Sequence, residues 1–368
     1  MSLQITKPKN SIDLGVGQPD PNLLPASLFQ PLTFHGQDLA YGEEVGASKF
    51  RQTLAAWLSV DYDQSVTAEQ LMVTNGSSNA LDMICAQFTV PGSTVLVEDP
   101  TYFIALNLFA ERGVNVEAIP MDDDGIQLDA LESALQQHQP AFIYTIPSYH
   151  NPTGITQSHE RRQALVALAK KYKCLLVSDE VYQSLYYQKK PPPPLACYDN
   201  DAPVLSVGTF SKILAPGLRL GWIQGTGTPI QKLLRSALLK SGGGLAPVTS
   251  ALVEPLIANG EFQAYLTELR QTYQIRLDTL YDGLKTYMGD ELQMTKPEGG
   301  YFLWATLAND SDVANKLAAA KNEGVNFLGG TLFSANQGHA SSMRLCFAWY
   351  GVEELEMACE RLAQVFRS

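Results

Sequence analysis

Short apolar segments alternate with helical patterns between residue 72 and about residue 225, and this alternation limits the fold more than any other feature of the chain. Each segment is continuously apolar, as is typical of a strand buried on both faces of a parallel sheet. The segments lie at residues 71–74, 94–97, 142–146, 174–178 and 204–207. Because strands joined through helices pair in parallel, the sequence predicts an α/β domain whose mostly parallel sheet is flanked by helices.

Helix start signals lie between the predicted strands. Ser158 can cap a helix in which apolar residues follow helical spacing over residues 165–172. Asp129, with Glu132 three residues later, predicts the start of another helix. Ligands of such sheets collect beyond the carboxyl ends of the strands, so residues just after each strand are the candidates for chemistry.

The C-terminal part of the sequence has a different pattern. Residues 261–288 contain no proline and predict one long helix. Beyond it, strands are predicted at residues 301–307, 325–328 and 343–348, with a helix at 312–322, which is an α+β arrangement. We therefore predict an N-terminal arm with part of a small domain at residues 1–38, a large ligand-binding domain at 39–260, and an interdomain helix with the rest of the small domain at 261–368.

Composition excludes several classes of function. A hydrophobic content of 45% and a charged content of 17% are typical of a compact protein, and the net charge of −12 argues against a nucleic-acid surface. No apolar run approaches the length of a membrane span, and the five histidines show no metal-ligand spacing. The five cysteines include no CxxC pair, which predicts reduced thiols in a cytoplasmic protein.

A lysine and an arginine follow the last apolar segment at a short spacing. The hydroxyls of Thr209 and Ser211 precede Lys212, and Arg219 follows it. A lysine at a strand end can form a Schiff base with a carbonyl cofactor, and an arginine with nearby hydroxyls can hold a dianionic phosphate. Both features favour pyridoxal 5′-phosphate (PLP), which carries an aldehyde and a phosphate. A solvated lysine and an arginine at a helix end are the alternative.

Two other predicted strand ends carry residues suited to such a ligand. Gly76, Ser77 and Ser78 lie between a strand and a helix, where free backbone amides and the helix dipole favour a phosphate. An ordinary strand-to-helix turn also favours these residue types. Tyr102 follows the next strand, where it can stack on a flat aromatic ligand or pack as an ordinary core tyrosine.

The remaining strand ends carry an amide and a carboxylate. Asn151 can donate a hydrogen bond to a phenolate oxygen, or it can simply form a turn with the following proline. Asp179 ends an apolar strand, where a carboxylate is costly without a cationic partner. A protonated pyridine nitrogen would be such a partner and would make the ring an electron sink. Capping of a following helix is the alternative for Asp179.

Two patterns together are typical of one family. They are Ser-Lys-x-x-x-Pro-Gly-x-Arg-x-Gly at residues 211–221 and Asn-Pro-Thr-Gly at residues 151–154. On these residues the sequence resembles the fold-type I PLP-dependent aminotransferases of class I/II, with an aspartate aminotransferase-like fold. Within that group it is similar to the branch of 2-aminoadipate, aromatic, kynurenine and alanine aminotransferases. The similarity extends over almost the whole chain, from Gly15 to Phe347.

The resemblance implies roles for the residues at the strand ends. Lys212 would hold the cofactor as an internal aldimine and then move the proton between the substrate carbon and the cofactor carbon. Asp179 would pair with the pyridine nitrogen, and Tyr102 would stack on the ring. Tyr182 and Asn151 would bond the phenolate oxygen.

The resemblance also implies binding sites for the phosphate and the substrate. The phosphate would be held by Gly76, Ser77, Ser78, Thr209, Ser211 and Arg219. Tyr41 matches a tyrosine that reaches the phosphate of the neighbouring subunit, which implies a homodimer with shared active sites. Arg344 matches the arginine that clamps the substrate carboxylate, and Gly17 and Asn151 would lie beside it.

The predicted function is the transfer of an amino group from an L-α-amino acid to a 2-oxo acid. The alternatives are a PLP-dependent carbon–sulfur β-lyase on the same scaffold and a non-enzymatic PLP-binding effector sensor. The motifs do not separate the lyase from the aminotransferase. The acidic charge, and the absence of a helix-turn-helix pattern ahead of the domain, weigh against the sensor.

Two positions depart from the pattern of the family. Gly329-Gly330 stands where many relatives have Pro-Gly, in a loop that often borders the substrate side chain. Tyr301 stands where relatives often have an aliphatic residue or phenylalanine, and it either extends towards the pocket or packs. Both departures leave the side-chain preference for the amino acid open.

Overall fold

A computed structural model describes residues 7–8, 10–30 and 34–367 of the chain. Its strands are β1 Ile12–Asp13, β2 Leu71–Thr74, β3 Thr94–Asp99, β4 Asn115–Asp122, β5 Gly125–Ile126, β6 Phe142–Thr145, β7 Leu175–Asp179, β8 Val204–Thr209, β9 Gly221–Gly225, β10 Leu292–Met294, β11 Phe302–Leu307, β12 Val325–Asn326, β13 Leu328–Gly329 and β14 Ser342–Cys346. Its α-helices are α1 Ser48–Tyr62, α2 Ser77–Phe88, α3 Phe103–Glu111, α4 Leu128–His138, α5 His159–Tyr172, α6 Gly227–Leu233, α7 Ala237–Gly242, α8 Pro247–Ala258, α9 Glu261–Met288, α10 Leu317–Asn322 and α11 Val352–Arg367.

The large sheet contains eight strands in the order β2-β9-β8-β7-β6-β3-β4-β5. Its five central strands, β8-β7-β6-β3-β4, run parallel, whereas β9, β2 and β5 are antiparallel to their neighbours. Helices cover both faces, so the predicted α/β class with a mostly parallel sheet is confirmed. In a parallel sheet the carboxyl ends of the strands share one edge, and this edge carries the site described below.

The predicted strands of the large sheet fall within a residue or two of those observed, but β4, β5 and β9 are absent from the prediction. Most residues of β4 are exposed or half-buried, because only the short strand β5 lies beyond it at this end of the sheet. A strand near an edge does not need the continuous apolar run on which the prediction depended.

Helix boundaries follow the local signals with one correction. The Ser158 side chain accepts a hydrogen bond from the Arg161 N–H at 3.1 Å and caps α5, as predicted. Helix α4 instead begins at Leu128, with Gln127 at its N-cap, so Asp129 lies in the first turn rather than before it. A carboxylate in that turn still interacts favourably with the helix dipole.

The C-terminal part contains a four-stranded antiparallel sheet in the order β10-β11-β14-β13. The segment 325–328, predicted as one strand, is two short strands in different sheets. Strand β12 pairs in parallel with β1 from the N-terminal segment, and β13 pairs with β14. Pairing with a remote segment is a tertiary effect that local sequence does not reveal. The limits proposed for the domains remain predictions.

The long helix α9 spans Glu261–Met288, as predicted, and packs along α11. Gly283 lies in this contact. A Cβ atom there would come within 2.8 Å of the Cys359 sulfur, so glycine allows the two helices to approach closely. The predicted helix at 312–322 is a 3-10 turn, Val313–Lys316, capped by Asp312 and followed by α10.

The described residues also bear on membrane helices, metal-ligand clusters and the state of the cysteines. None of their helices combines the length and apolar character that crossing a membrane requires. Within the same part of the chain, no three His, Cys, Asp or Glu side chains group as metal ligands. All five cysteines are free thiols, and four of them are buried.

Candidate active site

Lys212 lies just beyond the carboxyl end of β8. Its Nζ atom donates a hydrogen bond to the Gly17 carbonyl at 3.2 Å and lies 5.4 Å from the ring centre of Tyr301 and 5.9 Å from that of Tyr182. Burial of the amine lowers its pKa to about 8. About a tenth of this amine is therefore neutral at pH 7, far more than for an ordinary lysine, and the neutral form is the nucleophile.

Asp179 ends β7, the strand beside β8. One carboxylate oxygen, Oδ2, accepts a hydrogen bond from the Tyr144 hydroxyl at 2.8 Å, while Oδ1 is buried and has no partner among the described residues. Burial raises the pKa of Asp179 to about 6. The residues after Asp179 form turns instead of a helix, so the capping alternative is excluded. A buried oxygen without a donor indicates a missing partner.

A group of polar residues suited to a phosphate lies where β2, β8 and the loop before β9 meet. Gly76, with φ of +87°, precedes α2 and leaves the first amides of that twelve-residue helix without a side-chain cap. Arg219 reaches this point, since a Cβ on Gly76 would lie 3.0 Å from its Nη2 atom. Free amides at a helix N-terminus together with a guanidinium form a site for a dianion.

The predicted hydroxyls lie beside this arginine. Arg219 Nη1 donates to the Ser211 hydroxyl at 3.3 Å, and the Thr209 hydroxyl donates to Ser211 at 3.0 Å. Ser77 and Ser78 are the first two residues of α2, and both keep exposed surface. The six residues predicted for the phosphate therefore lie close together near the N-terminus of α2.

Arg344 lies on β14, in the small antiparallel sheet. It is only 2% exposed, and its guanidinium carbon lies 4.0 Å from the ring centre of Phe302 and 5.0 Å from that of Phe333. Its Nη2 donates to the Gly15 carbonyl at 2.8 Å, whereas Nε is buried without a partner among the described residues. A buried cation that lacks a carboxylate is costly, so this geometry suits an anionic ligand.

Asn151 and Gly17 adjoin this arginine. Asn151 accepts a hydrogen bond from Arg344 Nη1 at 2.9 Å through its Oδ1 atom, which leaves its amide N–H groups available as donors. A side chain at Gly17 would approach the Phe302 ring to 3.0 Å and Arg344 Nη2 to 3.4 Å. Glycine therefore lets the N-terminal segment pass close to Phe302 and Arg344.

The aromatic residues of the site have different surroundings. Tyr182 is 3% exposed and packs against Tyr301 and Phe302 at ring-centre distances of 5.4 and 5.8 Å. Its hydroxyl has no hydrogen-bond partner within the described ranges. Tyr102 precedes α3, where burial raises its pKa to about 12, so its hydroxyl stays protonated.

One of the two departures from the family pattern has a structural explanation. Tyr301 packs in the core, where its buried hydroxyl donates to the Lys212 carbonyl at 2.9 Å. At Gly330, the glycine that relatives share, a Cβ would lie 2.2 Å from the His339 carbonyl, so glycine permits a close approach of two backbone segments. At Gly329, where many relatives have proline, a Cβ would meet only the Val313 side chain at 3.5 Å, and the structure gives no reason for the change.

One predicted residue lies apart from the others. Tyr41 is 86% exposed and makes no contact with the site in this single chain. Three contact residues, in contrast, were not predicted: Tyr144, Phe302 and Phe333. All are buried members of strands or turns that look like ordinary core positions in the sequence. Their relation to Asp179 and Arg344 depends on strand order, which the sequence did not provide.

The residues present fit PLP. The unpartnered Oδ1 of Asp179 suits a protonated ring nitrogen, the amides of α2 with Arg219 suit the phosphate, and the Lys212 amine suits the aldehyde. These groups come from separate strand ends, and they are chemically complementary to the ring nitrogen, the phosphate and the aldehyde of one molecule.

Comparison with known proteins identifies the family. Residues 9–362 match the sequence profile described as aminotransferase class I and II. Aromatic-amino-acid aminotransferase 1 of Thermococcus litoralis is 33% identical to this chain, over 99% of this chain and 90% of its own length.

Solved structures agree with this match. The multiple substrate aminotransferase of Thermococcus profundus superposes with a TM-score of 0.90 at 31% identity, covering 98% of this chain and 92% of its own. The α-aminoadipate aminotransferase of Thermus thermophilus, complexed with N-(5′-phosphopyridoxyl)-L-leucine, gives a TM-score of 0.87 at 29% identity, with coverage of 98% and 92%.

The chain therefore belongs to the class I and II aminotransferases, as its motifs predicted. It is a PLP-dependent aminotransferase, which transfers an amino group from an amino acid to a 2-oxo acid. The β-lyase and the effector sensor are not favoured.

Proposed function

We propose that the pocket between Arg219 and Arg344 is the active site of this aminotransferase, with Lys212 as the catalytic residue. The observation that carries the proposal is the set of unsatisfied groups around one lysine. They are the buried Oδ1 of Asp179, the buried Nε of Arg344 and the uncapped N-terminus of α2. Each requires a ligand group of opposite charge, and PLP with an amino acid supplies all three.

Different residues of the site would bind different parts of the cofactor. Bound PLP supplies a carbonyl that condenses with amines and a ring that accepts an electron pair. Asp179 would keep the ring nitrogen protonated. The amide of Asn151 and the hydroxyl of Tyr182 would donate to the phenolate oxygen, and the ring of Tyr102 would stack on the cofactor.

Arg344 would bind the α-carboxylate of the amino acid. Its Nε has no partner among the described residues, and Nη2 carries a second N–H besides the one bonded to Gly15, so the guanidinium keeps donors for a bidentate carboxylate contact. The rings of Phe302 and Phe333 exclude water from the guanidinium and so strengthen that contact. With the carboxylate fixed, the Lys212 amine would remove the α-proton and return it to the cofactor side.

We infer that the preferred donors are aromatic amino acids. Support comes from the aromatic side chains near Arg344. Phe333 contacts Phe103 and Trp304 at ring-centre distances of 5.4 and 5.9 Å, and Trp304 lies directly opposite Arg344 in the sheet. Further support comes from the relative named an aromatic-amino-acid aminotransferase.

We further propose a cytoplasmic homodimer in which Tyr41 reaches the partner's phosphate site. The support for a dimer is a set of exposed apolar side chains on two adjacent segments: Phe34, Leu39, Tyr41 and Leu238. Gly42 and Gly243 pack together and so bring these segments side by side. The five free thiols suit a reducing compartment.

The test is a titration of the PLP-loaded protein with single L-amino acids, monitored through the absorption of the cofactor. We expect aromatic amino acids to convert the cofactor to its amine form at low concentration, with release of the 2-oxo acid, and a 2-oxo acid to reverse the change. The Lys212→Ala variant should show neither change. Release of pyruvate and ammonia from cystathionine without any acceptor would favour the lyase instead, and wild-type turnover by Lys212→Ala would refute the proposal.

A further inference from the structure

Tyr144 is a buried polar residue of the large sheet with no role in the chemistry described so far. It lies in β6, is 0% exposed, and packs edge-on against Phe109 at a ring-centre distance of 5.7 Å. In the parallel pairing of β6 with β7, it lies opposite Val177. Asp179 is two residues further along β7 and therefore on the same face of the sheet. The tyrosine ring bridges that distance, and its hydroxyl reaches the carboxylate.

The contact divides the two oxygens of Asp179. Oδ2 accepts the Tyr144 hydroxyl at 2.8 Å, and Oδ1 is left buried and unpartnered. Burial raises the pKa of the Tyr144 hydroxyl well above its ordinary value, so this group stays protonated and remains a donor. A carboxylate held at one oxygen cannot rotate freely, so the direction of the other oxygen is fixed.

We propose that Tyr144 is a positioning residue for PLP: its hydrogen bond aims Oδ1 of Asp179 at the ring nitrogen and keeps the carboxylate ionised. The inference rests on the proposed function, in which Asp179 pairs with that nitrogen. Tyr144 would act through Asp179 alone and would not touch the reacting atoms.

Tyr144 acts against the effect of burial. Burial is the largest influence on Asp179 and raises its pKa, and the neighbouring Glu180 raises it further. The Tyr144 hydrogen bond and the charge of Lys212 lower it. The other ionisable groups that face Asp179 are the hydroxyls of Tyr102 and Tyr182, which stay neutral because burial raises the pKa of both. Removal of the Tyr144 hydroxyl therefore raises the pKa of Asp179 and leaves the charge of Lys212 and the Val181 N–H as the groups that stabilise the carboxylate.

The chain offers a matched control. Tyr149 is 1% exposed, and its hydroxyl is buried without a hydrogen-bond partner in the described part of the chain. Tyr149→Phe and Tyr144→Phe each remove one buried oxygen and preserve ring packing. Only the Tyr144→Phe substitution removes a donor from Asp179.

The experiment measures the dissociation constant of PLP from cofactor-free protein by fluorescence quenching, at several pH values. For Tyr144→Phe we expect affinity weakened about tenfold at pH 7.5, the effect of losing one hydrogen bond to a charged group. We also expect the loss of affinity on acidification to begin at a higher pH than in the wild type. Tyr149→Phe should retain the wild-type affinity and pH profile.

The variants test the roles of Asp179 and Tyr144 separately. If Asp179→Asn leaves PLP affinity unchanged, the role of Asp179 is wrong. If Asp179→Asn weakens affinity while Tyr144→Phe behaves as the wild type at every pH, only the inference about Tyr144 is overturned. In a double variant that carries both Asp179→Asn and Tyr144→Phe, the affinity for PLP should equal that of Asp179→Asn alone, because Tyr144 acts only through Asp179.

A second measurement needs no folded Tyr144 variant. The ultraviolet spectrum of the cofactor-free wild type should show a tyrosine shift as the pH passes through the titration of Asp179, because the donor then loses its charged acceptor. That shift should be absent in Asp179→Asn and retained in Tyr149→Phe. A wild type without any such shift would overturn the inference.

Discussion

The carboxyl group of Asp179 shows how a single residue can reduce stability where it serves function. Burial raises its pKa from 3.8 to about 6, a difference that corresponds to about 3 kcal/mol between its two protonation states. Because the folded state binds this proton more tightly than the unfolded state, the contribution favours folding at pH values below 3.8. It is lost as the pH rises through about 6.

An Asp179→Asn substitution should therefore stabilise the cofactor-free protein while weakening its hold on PLP. The amide cannot ionise, so at pH 8 we expect the free energy of unfolding to rise by about 1–3 kcal/mol. Urea unfolding of cofactor-free wild type and variant measures this, with both repeated at pH 4.5, where the difference should shrink. A variant less stable than the wild type at pH 8 would contradict this account.

The Lys212 amine predicts how the rate of PLP uptake depends on pH. Burial lowers the pKa of its amine to about 8, and only the neutral amine attacks an aldehyde. The rate at which cofactor-free protein takes up PLP should rise with pH through about 8 and level off above it. Stopped-flow absorbance at saturating PLP measures the rate, with Lys212→Ala as the blank. A rate that does not depend on pH between 6.5 and 9 would show that this amine is already neutral.

At the residue scale the sequence named most of the polar residues that the structure brings together around Lys212. Lys212, Asp179 and Asn151 were singled out because polar groups after apolar strands are unusual, whereas Arg344 was named only through the resemblance to the family. Tyr144 was not, because a tyrosine inside an apolar strand has the same appearance whether or not its hydroxyl has a partner. Its function depends on the adjacency of β6 and β7, which is a property of the folded sheet.

At the scale of the elements, a side chain of β3 holds the loop that carries Asn151 through hydrogen bonds. Glu98, fully buried in β3, accepts hydrogen bonds through Oε1 from the Thr145 hydroxyl at 2.6 Å and the Gln157 amide at 3.0 Å. Its Oε2 accepts the Ile146 N–H at 2.8 Å and lies 3.2 Å from His150 Nε2. One carboxylate thus fixes both ends of the segment 145–157 and the residue before Asn151.

Glu98→Gln should loosen this loop. An amide group cannot accept from all these donors, so we expect the free energy of unfolding to fall by about 2–4 kcal/mol. We also expect the KM for the amino acid to rise more than kcat falls, because Asn151 supports Arg344. Steady-state kinetics and urea unfolding measure both effects. Glu117→Gln, on the adjacent and more exposed strand β4, serves as the control and should change neither. If the KM of Glu98→Gln equals that of the wild type, Glu98 does not position Asn151 for substrate binding.

The sequence predicted elements best where the core alone determines them. The central strands β6, β7 and β8 are buried throughout, and their apolar runs located them. Strand β4 was not predicted because its exposed positions carry Asn115, Pro120 and Asp122, which interrupt the apolar run. The segment 325–328 was misjudged because its division into β12 and β13 depends on β1, more than 300 residues earlier in the chain.

For the whole molecule, the proposed dimer makes a prediction about mixed subunits. If Tyr41 serves the partner's site, a hybrid of Tyr41→Ala and Lys212→Ala subunits contains one site with both residues intact. Random mixing makes half of the dimers hybrids, so activity should recover to about a quarter of the wild-type value. Each variant alone should be nearly inactive. The assay follows turnover after joint refolding of the two variants in equal amounts. No recovery would place Tyr41 in its own subunit's site, or outside any site.

The hydrogen bond from Arg344 to the Gly15 carbonyl joins residues 329 positions apart. During translation Gly15 leaves the ribosome 329 residues before Arg344. The central strands of the large sheet can pair while the chain is still being made, because domains generally fold as they emerge. The contact proposed between Arg344 and the substrate carboxylate cannot form until Arg344 has been made. We therefore expect a nascent chain to assemble the proposed phosphate site before the proposed carboxylate site, and a product that terminates before Arg344 should not bind an amino acid there.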